Sequence, residues 1–454
     1  MRRSLIAAGA AAVLLAGSAV IWMRTHGGLP ELPELSSLPP VPSEAPPIAN
    51  TAAPKGPPAP PPLAGIDVAQ LVVDDDGVKA PAAAGRSAKL TLEPSLQSAA
   101  LAVLRAYQIP EAAVVVLEVA TGKVLAYASH LEKGPTRDLC VEATAPAASV
   151  FKIVTGAALV EHAGLGPSTK QCYSGGEHRI DAADLIDDPK RDRACTTLAG
   201  AMGKSTNTVF ARLAQKHLKH DQLESMARAF GFEGGVPFDL QVAPSALKLP
   251  AEPLGFARTA AGFWNTTLSP VAAAYISAAV ARGGEPMRPY LVEEVRAPDK
   301  SVLYTAPAPS PAKRVVGRDV AAALTTMMEK TVSEGTSWKA FRDGSGRAFL
   351  PGVAVAGKTG TLSDPQAQRF YTWFTGFAPS RPTPGVKQIA IAALVVNGPV
   401  WRVKANVVAR EVLRAHFAAE NVPNVSRPSV ATGKAAAKPR DAKRPAARPR
   451  KPAR

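Results

Sequence analysis

Apolar residues along this chain gather into short unbroken runs and longer periodic ones, both concentrated between about Leu90 and Ala419. Ala113 to Val119 (AVVVLEV) and Lys123 to Ser129 (KVLAYAS) flank a Thr121-Gly122 turn, which predicts two adjacent strands. Val353 to Gly360, Tyr371 to Ala378 and Gln388 to Val396 predict three more. Pro94-Ser95-Leu96-Gln97 opens a helical pattern reaching Tyr107, and Ser149 to Ala163 reads as a nearly all-apolar helix stopped by Gly164. Asn406 to Ala419 closes with helical spacing. Two strands early and three late, with helices before, between and after them, predict an α+β fold: an antiparallel sheet covered by helices. No internal repeat is evident.

The flanks read differently. Leu5 to Met23 is nineteen residues without a charge, preceded by Arg2-Arg3 and closed by Trp22 and Arg24. A bilayer core needs about 20 apolar residues as helix, so the run is expected to anchor the chain with residues 1–4 in the cytoplasm. A cleaved signal peptide, cut near Ala16-Gly17-Ser18-Ala19, is the rival reading. Either one exports the remainder. Residues 24–64 read as a proline-rich linker, with thirteen prolines between Leu29 and Leu63. As extended polyproline, roughly 35 residues span up to about 100 Å. Residues 65–424 are then the folded domain, and 425–454 a basic, disordered tail rich in Lys, Arg, Ala and Pro.

Composition changes the picture in one respect. With 454 residues, 46% of them hydrophobic, a sizeable core is available, which excludes a wholly disordered chain and a disulfide-stapled miniprotein. The formal net charge of +16 suggests a nucleic-acid binder. Nine of those units, however, lie in Arg427–Arg454 and three in residues 1–28, leaving about +4 elsewhere. Export also argues against nucleic acid.

Ser149-Val150-Phe151-Lys152 is a Ser-x-x-Lys. A serine hydroxyl needs a base to become a nucleophile, a desolvated lysine can supply one, and positions i and i+3 share a helix face. Ser245-Ala246-Leu247-Lys248 and Ser310-Pro311-Ala312-Lys313 match as well, but among prolines with no apolar helix following. Ser205-Thr206-Asn207 precedes a helical run and, taken singly, reads as a helix cap. Lys358-Thr359-Gly360-Thr361 ends the run from Val353, and its lysine and hydroxyl can hold a carboxylate.

The order Ser-x-x-Lys, Ser-x-Asn, Lys-Thr-Gly, at separations of 56 and 153 residues, is far more specific than its parts. Here the chain resembles the transpeptidase domain of penicillin-binding proteins, the serine acyl-transferases that crosslink peptidoglycan. The hairpin from Ala113, the segment Leu268-Ser269-Pro270 to Gly284, Glu334-Gly335-Thr336 and Trp373-Phe374-Thr375-Gly376 extend the likeness over about residues 88–420. The resemblance implies a five-stranded sheet with a mostly helical subdomain. It also implies that Ser149 attacks the carbonyl between the last two D-alanines of a stem peptide and that Lys152 takes its proton. Ser205 would pass a proton to the departing D-alanine, Asn207 would hold Lys152 and the substrate amide, and Lys358 and Thr359 would bind the terminal carboxylate. The amides of Ser149 and Thr361 would form the oxyanion hole beside Gly360. β-Lactams, which mimic that substrate, would acylate Ser149, and other cell-wall synthesis proteins are expected partners. No cofactor or metal is implied. Three departures stand out: Ala147-Ala148 where Pro-Gly is common, Val150 where Thr is common, and Gly262-Phe263-Trp264-Asn265 in place of a glycine-rich stretch.

A D,D-carboxypeptidase, or a serine β-lactamase or β-lactam sensor, shares part of this machinery, although no Glu-x-x-Leu-Asn element is present to supply a deacylating base. A non-catalytic scaffold would not need every catalytic residue. Cys140, Cys172 and Cys195 allow three pairings in an exported chain; Cys172–Cys195, closing a loop with Asp187-Asp188 and Lys190-Arg191-Asp192-Arg193, is the one expected. Cys172, His178 and Cys195 match no usual zinc spacing, and His217 and His220 sit among lysines, as on a solvated face.

Overall fold

The computed structural model describes residues 61–176 and 179–428. The expected anchor, nearly all of the linker and most of the basic tail lie outside those residues, as does His178; no helix among the described residues is long and apolar enough to cross a membrane.

Along the chain, β1 (Val72–Asp74), β2 (Gly77–Ala82) and β3 (Arg86–Leu90) come first, then α1 (Pro94–Ala106) and the hairpin β4 (Glu111–Glu118) and β5 (Val124–Leu131). A short β6 (Ala145–Pro146) leads through a 3-10 turn (Ala148–Phe151) into α2 (Lys152–Ala163). The helical region follows: the ribbon β7 (Lys170–Tyr173) and β8 (Ala194–Thr197), then α3 (Leu198–Lys204), α4 (Asn207–His217), α5 (His220–Ala229) and α6 (Pro253–Ala260). The chain returns through β9 (Thr267–Leu268), α7 (Pro270–Ala281), β10 (Val292–Arg296), β11 (Val302–Thr305) and α8 (Arg318–Ser333). It finishes with β12 (Ala356–Asp364), β13 (Arg369–Ala378), β14 (Ile389–Asn397) and α9 (Ala405–Ala419).

The central sheet is antiparallel, in the order β12-β13-β14-β4-β5. Its inner strands β4 and β14 read as nearly unbroken apolar runs because helices cover both faces. Val114, Val116, Ile391 and Ala393 face α1 and α9, while Val115, Leu117, Ala392 and Leu394 face the helical region. Between sheet and helices runs α7, apolar all round and almost wholly buried, whose alanines let it approach β13, β14 and β4 closely. Thr375 of β13 donates to the Ala273 carbonyl (2.7 Å) and pairs with Ser277, satisfying its buried hydroxyl.

Two expectations shift. The run from Val353 forms strand only from Ala356 and continues to Asp364, so Lys358-Thr359-Gly360 sits within an edge strand rather than at its end. Leu362-Ser363-Asp364, mostly polar, pairs with Arg369-Phe370-Tyr371 in a hairpin that an apolar pattern could not show. The expected helix from Ser149 opens as the 3-10 turn, and Gly164 caps α2 in the left-handed conformation (φ 65°). A second sheet, β1-β2-β3-β10-β11, was not read from the sequence at all.

Candidate active site

The three motifs converge. Ser149 and Lys152 stand in the first turns of the 3-10/α2 unit, and Lys152 is completely buried. Its Nζ lies 2.8 Å from Ser149 Oγ and 2.7 Å from Asn207 Oδ1, and also bonds the Ala261 carbonyl, one of the last-turn carbonyls of α6 left without a helical partner. Thr155 Oγ1, one turn along α2, donates to the neighbouring Ala260 carbonyl (2.8 Å) and fixes that end of α6 against the site.

These three partners can all accept from an ammonium, and they serve a neutral amine as well. An uncharged amine has two N–H bonds and one lone pair. The Ala261 carbonyl and the Asn207 amide oxygen can only accept, whereas the Ser149 hydroxyl can donate. With the amine neutral, its lone pair therefore falls to Ser149. Burial pushes the Lys152 pKa well below the usual lysine range, and the positive charge of Lys358 pushes it further.

Ser205 caps the C-terminus of α3 in a left-handed conformation (φ 59°), and Asn207 opens α4. Thr206 holds the N-cap position without a side-chain capping bond, so the segment is not a simple cap: its flanking polar groups turn instead to the two lysines. Lys358 Nζ donates to Ser205 Oγ (2.8 Å) and to the Thr359 carbonyl (2.9 Å). Lys358 is likewise fully buried, and burial brings its pKa down to about 7.

Gly360 and Gly262 show how tightly the backbone around Ser149 is held. A Cβ on Gly360 would come within 3.1 Å of Ala148 Cβ and 3.2 Å of Trp373 Cβ; one on Gly262 would lie 2.4 Å from the Ala148 carbonyl oxygen. Trp373, paired across from Gly360, donates Nε1–H to the Pro146 carbonyl (2.8 Å) and ties the strand to the segment before Ser149. Ala148 itself has φ 50°, a region that glycine enters freely and alanine does not. This gives a backbone reason for glycine being common at that position.

The hydroxyls of Ser149, Ser205 and Thr359 open into a cleft of about 510 Å³ whose wall includes the half-buried Phe263. On the opposite wall stand Thr336, from the Glu334-Gly335-Thr336 segment of the resemblance, and Lys404 and Asn406, which pattern reading missed because they belong to no motif. Gly335 packs so closely on the Gly203 carbonyl that a Cβ there would sit 2.1 Å from it, which brings Thr336 Oγ1 to 2.6 Å from Thr359 Oγ1. Ser245 and Ser310, the other Ser-x-x-Lys serines, lie outside any helix.

The expected disulfide is present. Cys172 and Cys195 sit opposite each other in the β7–β8 ribbon and are bonded, while Cys140 is free and buried. The loop they close is held to α4 by Arg212, 1% exposed, whose guanidinium bonds the Asp184 and Cys172 carbonyls (2.7 and 3.0 Å), Asp187 and both oxygens of Asp192.

Comparison with known proteins agrees with this geometry. The family profile described as "Penicillin binding protein transpeptidase domain" matches residues 112–416. The "Peptidoglycan D,D-transpeptidase PbpA" of Mycobacterium tuberculosis (strain CDC 1551 / Oshkosh) is 31% identical over 353 residues, 69% of this chain and 68% of its own length. Among solved structures, the crystal structure of PBPA from Mycobacterium tuberculosis is similar with a TM-score of 0.59 at 28% identity, covering 73% of this chain and 83% of that one. An imipenem acyl-enzyme complex of penicillin-binding protein A from M. tuberculosis is similar with a TM-score of 0.57 at 29% identity, covering 73% and 80%.

Proposed function

The chain belongs to the penicillin-binding protein transpeptidase family and is a serine-type peptidoglycan D,D-transpeptidase; from that premise we propose that Ser149 is the nucleophile and Lys152 its base. Ser149 Oγ attacks the carbonyl between the terminal D-alanines of a stem peptide while its proton passes to the Lys152 lone pair. The backbone amides of Ser149 and Thr361 receive the oxyanion. Thr361 lies on an edge strand, where alternate amides are unpaired and face the substrate. Ser205, supplied by Lys358, gives a proton to the departing D-alanine nitrogen, and Asn207 holds Lys152 and the substrate amide. Lys358, Thr359, Gly360 and Thr361 form the long edge of the cleft along which the peptide end lies. The amine of a second stem peptide, or water in the carboxypeptidase variant, then takes the acyl group from Ser149 Oγ. β-Lactams occupy the same place and remain as acyl-enzymes.

A hydrolytic β-lactamase is disfavoured because no carboxylate lines the cleft among the described residues. The enzyme works outside the cytoplasm, and we assign residues 5–23 as its membrane anchor, 24–64 as its spacer, 65–424 as the transpeptidase domain and 425–454 as a basic tail.

The observation that carries this reading is the Lys152 amine, buried and shared by Ser149 and Asn207. Fluorescent penicillin is expected to label the wild type and not Ser149→Ala. An unlabelled wild type would sink the acyl-enzyme reading, and rapid turnover of the penicillin would move the enzyme to the β-lactamases.

A further inference from the structure

The substrate end that this cleft must recognise is a carboxylate, yet the two motif lysines are poorly placed to supply its countercharge. Lys152 and Lys358 lie beneath the cleft, completely buried, and Lys358 is committed to Ser205 and the Thr359 carbonyl. Its pKa of about 7 leaves it only partly charged at neutral pH. Among the described residues that line the cleft, Lys404 is the one ionised side chain.

The edge strand β12 divides the cleft in two. Lys358 and Gly360 face Ala148 and the nucleophile, and Thr359 and Thr361 face the other side. There the first turn of α9 is pinned to the sheet: Ala405 N donates to Thr372 Oγ1 (3.1 Å), and Thr372 is the cross-strand partner of Thr361. Lys404 immediately precedes that fifteen-residue helix, exposed on the cleft wall, with its ammonium 5.6 Å over the Trp401 ring. No carboxylate of the described residues pairs with it. Next to it Asn406, only 6% exposed, gives Nδ2 to Ser337 Oγ (3.2 Å) and leaves Oδ1 without a partner. A lysine with no acidic partner among the described residues and a row of threonine hydroxyls in the same cleft make a site for an anion that carries hydrogen-bonding groups beside it.

We propose that Lys404, with the hydroxyls of Thr336, Thr359 and Thr361, supplies the positive charge that selects a peptide end or β-lactam bearing a free carboxylate. This inference rests on the acyl-transfer reading above and assigns Lys404 a specificity role, with no part in proton transfer.

The test compares the rate of acylation of the full chain by benzylpenicillin and by its methyl ester, in the wild type, Lys404→Gln and Lys404→Arg. One charge-assisted contact corresponds to a factor of about 10–100, so Lys404→Gln should shrink the preference for acid over ester by that amount. The loss should fall on binding, with the limiting acylation rate unchanged, and Lys404→Arg should restore most of it. Added salt should erode the wild-type preference and leave that of Lys404→Gln alone. An undiminished acid preference in Lys404→Gln, or an equal loss on both probes, overturns the assignment while leaving the acyl-enzyme reading intact. A wild type that neither probe acylates overturns that reading and, with it, this one.

Discussion

At the scale of the residue, the proposed mechanism turns on how an amine with an ordinary pKa near 10.5 can serve as a base near neutrality. Burial removes the water that stabilises Lys152 as an ammonium, and the nearby charge of Lys358 adds a smaller push in the same direction. Protonation of Lys152 occupies the lone pair that Ser149 needs, so acylation should fall on the acid side as Lys152 charges. Lys358→Met removes the neighbouring charge, which lets the Lys152 pKa rise. The acid limb of the acylation–pH profile should therefore move to higher pH, beside a drop in the maximal rate from the loss of the Ser205 partner. Stopped-flow acylation by a chromogenic β-lactam across pH reads the midpoint. A limb that stays put or moves to lower pH would show that the two lysines do not sense each other.

At the scale of elements, legibility follows burial. β4 and β14 were readable because they are covered on both faces, which demands apolar residues at every position. β2 and β3 were not, because their buried positions are Val78, Ala80, Ala82, Ala88 and Leu90, with alanines too weakly apolar to mark a period. Pro81 also reads as a strand breaker; it is tolerated because β1 pairs only as far as Lys79 and leaves β2 an edge there. The motif residues were legible through their spacing, whereas Lys404 and Asn406 reach the cleft only because α9 packs on β13. The Arg212 cluster was invisible for the same reason: its partners, the disulfide loop and α4, are joined only by folding. Arg212→Met would remove the ionic partner of Asp192, whose side chain is 4% exposed and would keep only the Ser174 hydroxyl and the Asp188 amide, and would unpair the buried Asp184 and half-buried Cys172 carbonyls; it should cost about 3–5 kcal/mol in urea unfolding. Arg212 holds the Asp192 carboxyl down at about 2, against an ordinary 3.8. The pair thus contributes fully above the ordinary carboxylate pKa and less as the pH falls toward 2, so the deficit of the variant should narrow in acid. A loss below about 1 kcal/mol at neutral pH would class the cluster with exposed ion pairs.

At the scale of the whole molecule, the charge of +16 belongs mostly to the ends, and the acyl-transfer domain is nearly balanced. The last residues of the segment assigned as spacer pack against it. Pro61–Leu63 form a short 3-10 turn with Leu63 1% exposed, and Arg86 donates to the carbonyls of Pro61, Pro62 and Ala64 (3.0, 3.1 and 2.9 Å). Prolines lack N–H donors but keep their carbonyls, and a guanidinium fork can gather several of them at once. At the other end Arg414 bonds Ser426 Oγ (2.8 Å) and the Arg427 carbonyl (3.1 Å), extending the fold past α9. A fragment of residues 61–428 should therefore be acylated by penicillin at the rate of the full chain. A fragment of residues 65–428 loses the buried Leu63, a contribution of about 1.5–3 kcal/mol, and leaves Arg86 with only the Ala83 carbonyl as acceptor. It should melt lower than 61–428 while being acylated at a similar rate, because the turn packs on β10 and β11 of the other sheet, away from the motif residues. Equal melting temperatures for the two fragments would place the boundary back at residue 65. A loss of acylation in the shorter one would instead show that the first sheet supports the cleft.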